Sequence, residues 1–117
     1  MPDSLRPDLI SEAVRKRHLV DPIDNCFILY DQHLLYTRAE LIKNAFPTRS
    51  IHTVAINACP LAFGLEYLQS IGYGAEAASE FEVQLALQAG FEPSKIFFDS
   101  PAKTVSELQF ALKTGIS

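Results

Sequence analysis

The chain has 117 residues, of which 48% are apolar and 21% charged, and its formal net charge is −4. This length suits one small domain, and the apolar content is high enough for a packed core, which excludes a disordered chain. A pI near 5.2 argues against a basic surface that would bind nucleic acid or an anionic membrane.

The sequence also lacks the marks of a secreted or membrane protein. No apolar run approaches the roughly 20 residues that cross a bilayer. The first residues, Met1 to Ser4, contain no basic start followed by an apolar stretch. Cys26 and Cys59 do not make a disulfide framework. We therefore expect a reduced, cytoplasmic chain.

Residues 1–22 predict a polar lead-in that contains a short helix over about residues 7–18. Pro7 is tolerated in a first helical turn. Asp8 and Glu12 near the start and the basic residues 15–17 near the end complement the helix dipole. Asp21-Pro22 ends this segment, and the single domain is expected over residues 23–117.

Beyond the lead-in, short apolar runs alternate with helical periodicity. The strand-like runs are Cys26–Tyr30, Ile51–Ile56, Gly74–Ala78 and Lys95–Asp99. The helical segments run from Asp31 to Pro47, from about Pro60 to Gly72, from Ser79 to Gly90, and from Thr104 or Ser106 to Gly115. This alternation predicts an α/β fold with a parallel sheet covered by helices, and the mostly apolar strands predict burial on both faces.

Two architectures accommodate four successive βα units. One is an open four-stranded α/β sandwich, and the other is half of a TIM-type (β/α)₈ barrel, which usually needs about 250 residues. An isolated half-barrel would expose two sheet edges and the cut barrel interior. We expect such a chain to dimerise, to aggregate or to have low stability, unlike a self-contained sandwich.

In both architectures, a binding site is expected where the parallel strands end. The residues at these ends are Tyr30-Asp31, Asn57–Pro60, Glu76–Glu80 and Asp99–Lys103. Asp31 and Ser79 also suit helix capping, and Asp99-Ser100-Pro101 suits a turn. A carboxylate within an apolar strand needs a partner or water, so Glu76 is either a site residue or an exposed strand end.

Other chemical signals are weaker. His18, His33 and His52 have no metal-ligand spacing with one another or with the cysteines, so no metal is expected. Cys59, at a strand end, is interpreted as a buried inert thiol in preference to a reactive thiolate. The sequence contains no GxGxxG, no P-loop and no GxSxG.

Five segments carry a resemblance to a known family through their order and spacing. They are Phe27–Asp31, Val54–Pro60, Gly74–Glu82, Ala86–Phe91 and Lys95–Thr104. From about Asn25 onwards, the chain resembles the N-terminal part of the alanine-racemase-like barrel of fold-type III PLP-dependent decarboxylases. Diaminopimelate, ornithine and arginine decarboxylases belong to that family. The resemblance favours the half-barrel over the sandwich.

The resemblance implies a substitution at the residue that carries the cofactor. The second strand of the family ends in A-V-K-A-N or A-V-K-A-C, whose lysine binds pyridoxal phosphate as a Schiff base. Residues 55–59 match this pattern and place Asn57 at the lysine; a shift of two residues would place Ala55 there. Neither side chain can form an imine, which needs a primary amine. Lys103 resembles a different lysine of the family.

Three further positions are cofactor-adjacent by resemblance. Glu76 falls where the family usually has an aspartate near the cofactor, and Ser79 and Glu82 match an S-x-x-E segment whose glutamate lies near the reactive lysine. The glycine-rich phosphate loop, the acid that pairs with the pyridine nitrogen, and the C-terminal β domain of the family have no counterpart in these 117 residues.

The resemblance therefore implies a fragment or paralogue of a PLP-dependent amino-acid decarboxylase that is inactive alone and does not bind the cofactor covalently. Its expected partner is a second copy, as in a dimer, or a decarboxylase chain. Two alternatives stay open. The chain could be part of a split or longer decarboxylase completed by another chain, or a small non-enzymatic α/β module that binds a ligand at Asn57, Glu76 and Asp99.

Overall fold

A computed structural model describes residues 7–19, 23 and 28–117. They divide into two compact units, Met1–Tyr30 and Asp31–Ser117. None of the helices in these ranges is long and apolar enough to cross a membrane. The first unit contains helix α1, Pro7–Lys16, which confirms the helix expected there. The expected domain boundary after residue 22 stays a prediction.

The second unit alternates between helices and strands, as the sequence pattern predicts. Its helices are α2 (Gln32–Ala45), α3 (Ala62–Ser70), α4 (Glu80–Gln88) and α5 (Val105–Thr114). Its strands are β1 (Thr53–Ala55), β2 (Gly74–Ala77) and β3 (Ile96–Phe98). Short 3₁₀ turns follow β1 at Ile56–Ala58 and precede β3 at Pro93–Lys95.

The three strands form one parallel sheet in the order β1-β2-β3. A further backbone pairing lies on the outer side of β3. The amide of Ser117 donates to the Ile96 carbonyl at 3.1 Å, and the amide of Phe98 donates to the Ser117 carbonyl at 2.7 Å. This is the hydrogen-bond pattern of a parallel neighbour, so α5 returns the chain to the sheet as a βα unit should.

The first expected strand is not present among the described residues. Cys26 and Phe27 lie outside them, and Ile28–Tyr30 are exposed and not in a strand. Three βα-type units rather than four are therefore seen in the part of the chain that the structure describes. An apolar run of this length does not by itself predict a strand, because a strand forms only where it pairs with a neighbouring strand.

One face of the sheet packs against the helices, and the residues on the other face are partly exposed to solvent. Ala75, Ala77 and Ile96 are fully buried in a core with Val83 and Ala86 of α4. The opposite face carries Thr53, Glu76 and Phe97, none of them buried. In the part of the chain that the structure describes, the helices cover one face of the sheet, so the strands are not buried on both faces as their apolar sequence predicts.

Gly74 is required where β2 approaches β3. A Cβ atom added at this position would lie 2.6 Å from the backbone carbonyl oxygen of Lys95. No larger residue fits there without moving a strand, which explains the glycine at the start of β2.

Polar caps begin the helices at the ends where the sequence places them. The Asp31 carboxylate accepts from the Leu34 amide at 2.8 Å to begin α2. Thr104, and not Ser106, begins α5 and forms a capping box with Glu107. Gly115 ends α5 in the left-handed conformation, with φ of 75°.

Candidate functional site

The carboxyl ends of the three strands meet at one edge of the sheet. Asn57 follows β1, Ala78 and Ser79 follow β2, and Asp99 and Ser100 follow β3. Because all three strands are parallel, these residues lie on the edge where α/β folds bind their ligands.

Asn57 lies at the tip of β1 with its carboxamide exposed. It is the central residue of the 3₁₀ turn Ile56–Ala58, which closes when the Cys59 amide donates to the Ile56 carbonyl at 3.2 Å. Ile56 is fully buried and anchors the turn in the core. The Asn57 side chain makes no hydrogen bond to any other described residue.

Glu76 lies on the open face of the sheet, one residue before the end of β2. Its neighbours in register are Ala55 of β1 and Phe97 of β3. The carboxylate is half-buried and makes no hydrogen bond or ion pair within the described ranges. The expected partner for a carboxylate in an apolar strand is therefore solvent or a bound molecule.

Ser79 and Glu82 lie at the same edge, and both begin α4. The Ser79 hydroxyl accepts from the Glu82 amide at 3.2 Å, and the Glu82 carboxylate accepts from the Ala78 amide at 2.8 Å. The two side chains thus satisfy amides that a helix start leaves unpaired. The structural interpretation of Ser79 is confirmed, and the roles that both residues take by resemblance stay predictions.

A hydrogen-bonded network beyond β3 was missed by the sequence reasoning. The buried Ser100 hydroxyl donates to the Glu107 carboxylate at 3.0 Å and accepts from the Lys103 amide at 3.3 Å. The Lys103 ammonium donates to the carbonyls of Phe98 and Ser100, both at 3.3 Å. Asp99 lies 3.7 Å from the same ammonium. The S-P-A-K-T-x-x-E spacing could have suggested this closed turn.

The network also perturbs one acid. The Thr104 backbone amide that donates to the Glu107 carboxylate holds the pKa of this acid below its ordinary value, and the hydroxyls of Ser100 and Thr104 and the Lys103 charge act in the same direction. Glu107 is therefore an ionised structural acceptor at neutral pH.

The parallel strands with following helices, and the polar residues at their carboxyl ends, define an α/β domain with its candidate site at this edge. The solved structure of Helicobacter pylori diaminopimelate decarboxylase complexed with L-lysine superposes on the chain with a TM-score of 0.71 at 32% identity. The match covers 86% of this chain and 26% of that one.

Residues 32–117 match the family described as pyridoxal-dependent decarboxylase, pyridoxal binding domain. The chain belongs to this family, which confirms the resemblance seen in the sequence. Pyridoxal phosphate is the cofactor on which the family depends.

The curated relatives include proteins named as diaminopimelate decarboxylases and proteins named as antizyme inhibitors. Helicobacter pylori diaminopimelate decarboxylase is 36% identical over 91 residues, covering 77% of this chain and 22% of that protein. A probable chloroplastic diaminopimelate decarboxylase of rice is 32% identical over 89 residues, covering 70% and 18%. Mouse antizyme inhibitor 1 is 35% identical over 69 residues, covering 59% and 15%. The chain thus spans about a fifth of the length of such relatives.

At the tip of β1, the side chain present does not fit a covalently held pyridoxal aldehyde. An imine requires a primary amine with a free electron pair, and the side chain at the β1 tip is a carboxamide. Lys103 is the one lysine at this edge within the described ranges, and its ammonium is engaged by two carbonyls and Asp99. Lys43 and Lys95 lie at the amino-terminal ends of the strands.

Proposed function

We propose that this chain is a non-catalytic pyridoxal-binding-domain unit of the decarboxylase family, inactive by itself because Asn57 occupies the position of the Schiff-base lysine. The observation that carries the proposal is the exposed carboxamide of Asn57 at the β1 tip. Among the described residues at that edge, the β1 tip carries no amine and the Lys103 ammonium is held by two carbonyls, so the chain retains the scaffold of the domain without its covalent chemistry.

Residual cofactor contacts would come from the side chains that remain. Glu76, Ser79 and Glu82 lie at the carboxyl edge, and each takes a cofactor-adjacent role by resemblance. Two of them already cap α4. We therefore expect any binding of pyridoxal phosphate by these residues to be weak and non-covalent.

The biological role proposed is pairing with a second chain in the cytoplasm, either another copy or a decarboxylase. The partly exposed face with Thr53, Glu76 and Phe97 supports pairing, because in a complete barrel this face would be enclosed. One of the similar proteins, mouse antizyme inhibitor 1, is named as an inhibitor and not as an enzyme, which supports a non-catalytic role. Sedimentation of the chain alone and mixed with a full-length decarboxylase tests this role, and a stable monomer in both would contradict it.

The missing amine is tested by restoring it. Asn57→Lys is titrated with pyridoxal phosphate while the imine absorbance band is followed, with and without a decarboxylase polypeptide that lacks the matched segment. The matched controls are Ala58→Lys, one residue away and also exposed, and Ala55→Lys, which tests the alternative register.

We expect a band only for Asn57→Lys, because only this lysine lies where the family places its own. A band for Ala55→Lys alone would show that the register is wrong by two residues. Decarboxylation by the wild-type chain mixed with the complementing polypeptide would favour the split enzyme over the proposal.

A further inference from the structure

A second concave site lies at the amino-terminal ends of the strands, opposite the edge that carries Asn57. The end of α2, the loop over residues 46–52 and the turn at Gly72-Tyr73 line an open cavity of about 250 Å³. This volume lies just below the usual range for ligand pockets, about 300 to 1,000 Å³, so it would fit a small molecule of about one ring.

An aromatic wall forms one side of the cavity. His52 packs edge-on against Phe46, with ring centroids 5.3 Å apart, and tilts over Tyr73 at 5.5 Å. The position of the Tyr73 ring is fixed by burial and by a hydrogen bond, in which its hydroxyl donates to the Ala39 carbonyl at 2.9 Å. A planar ring entering the cavity would meet faces and edges of these three side chains.

The polar groups around the cavity comprise one cation and several neutral groups that can donate a hydrogen bond. The Lys43 ammonium donates one hydrogen bond to the Ile71 carbonyl, which leaves further N–H groups. The side chains of Asn44, Thr48 and Ser50 also line the cavity and make no hydrogen bond to other described residues.

No carboxylate is among the lining residues, although the protein as a whole carries a net charge of −4. Glu40 is close enough to act electrostatically on the Tyr73 hydroxyl but does not line the cavity. The lining thus combines a lysine charge with hydroxyl and amide groups that can donate or accept, and the lysine charge favours an anion over a cation.

We propose that this cavity binds a small aromatic carboxylate, with its ring against Phe46, His52 and Tyr73 and its carboxylate toward the Lys43 ammonium. Nothing in this proposal depends on Asn57 or on the cofactor. The site and the proposed function can therefore fail separately.

The test uses benzoate as the probe, titrated into the folded 117-residue chain while backbone amide NMR shifts are followed. Benzylamine carries a similar ring with the opposite charge, and cyclohexanecarboxylate carries the same charge on a non-aromatic ring. Saturable shifts that centre on Ser50, Gly72 and Tyr73 are expected for benzoate, with much weaker binding of the other two. Equal binding of benzylamine, or no shift at these amides, would overturn the proposal.

Lys43→Met removes the charge at nearly constant length, and Lys113→Met is the matched control on an exposed lysine of α5. We expect Lys43→Met to lower the affinity for benzoate roughly tenfold to a hundredfold, because it removes a charged hydrogen bond. Lys113→Met should leave the affinity unchanged. Equal affinities for the two variants would refute the role of Lys43.

Because Lys43 also holds the end of α3, a second variant guards against misfolding. Phe46 is 56% exposed, so Phe46→Leu perturbs folding little while it removes one ring of the wall. Several-fold weaker benzoate binding is expected, whereas unchanged binding would exclude the aromatic wall. Asn57→Lys should leave benzoate binding as it is in the wild type.

Discussion

Replacing Gly74 by alanine tests how closely β2 and β3 are packed. The added Cβ would lie 2.6 Å from the Lys95 carbonyl oxygen, 3.3 Å from Cγ2 of Thr53 and 3.5 Å from Cε2 of Phe97. The first contact is the decisive one, since a carbonyl oxygen in the backbone cannot rotate away as a side chain can. The two strands would have to separate by several tenths of an ångström.

Overpacking of this kind costs about 1 to 3 kcal/mol. For a domain of this size, this loss corresponds to a fall in Tm of roughly 4 to 20 °C. Urea unfolding at 25 °C and a thermal scan followed by circular dichroism measure the change.

Gly64→Ala in α3 is the matched control. Its Cβ would meet only side-chain atoms, Cys59 Sγ at 3.1 Å and Leu35 Cδ2 at 3.3 Å, and alanine is favoured in a helix by about 1 kcal/mol. We expect a change below about 1 kcal/mol for this variant. If Gly74→Ala were as stable as the wild type, or if Gly64→Ala lost more stability, the strand packing described above would be wrong.

Three further changes probe the core, a helix cap and the acid at α5. Ile96→Ala, at a fully buried position, should lose about 2 to 5 kcal/mol in urea unfolding, whereas Leu112→Ala, 83% exposed, should change stability by less than about 0.5 kcal/mol. Ser79→Ala should cost about 1 kcal/mol and fray α4 in hydrogen exchange; unchanged protection there would argue against the cap. The pKa of Glu107 is lowered in the folded chain, so the stability that it adds is present above its unfolded pKa and lost as pH falls through the lower folded value. Glu107→Gln should flatten the acid limb of stability against pH, and an unchanged limb would exclude this role.

Much of the fold followed from local sequence signals. Pro47, Gly72, Gly90 and Gly115 mark the helix ends, and caps such as Ser79 mark the starts, because these residues have strong positional preferences. The first strand could not be predicted reliably from such local signals. The run that ends at Tyr30 is apolar enough, yet a strand depends on pairing that sequence alone does not specify.

The candidate site was only partly accessible to sequence reasoning. Position at strand ends, together with the family resemblance, identified Asn57 and Glu76, and the structure places both at or beside the expected edge. The network that joins Ser100, Lys103 and Glu107 was missed, because it depends on a positive φ of 43° at Lys103 and on burial of Ser100. The S-P-A-K-T-x-x-E spacing of residues 100–107 suggests a turn but specifies neither property.

The central claim, that no lysine of this chain holds the coenzyme as an imine, is tested most directly by trapping. The wild-type chain is incubated with pyridoxal phosphate, reduced with borohydride, digested and mapped by mass spectrometry. We expect sparse labelling spread over exposed lysines, rising with concentration and never reaching one coenzyme per chain at a single position. Saturable labelling of Lys103 at one equivalent would contradict it, because the ammonium held by Phe98, Ser100 and Asp99 would then be serving as the missing amine.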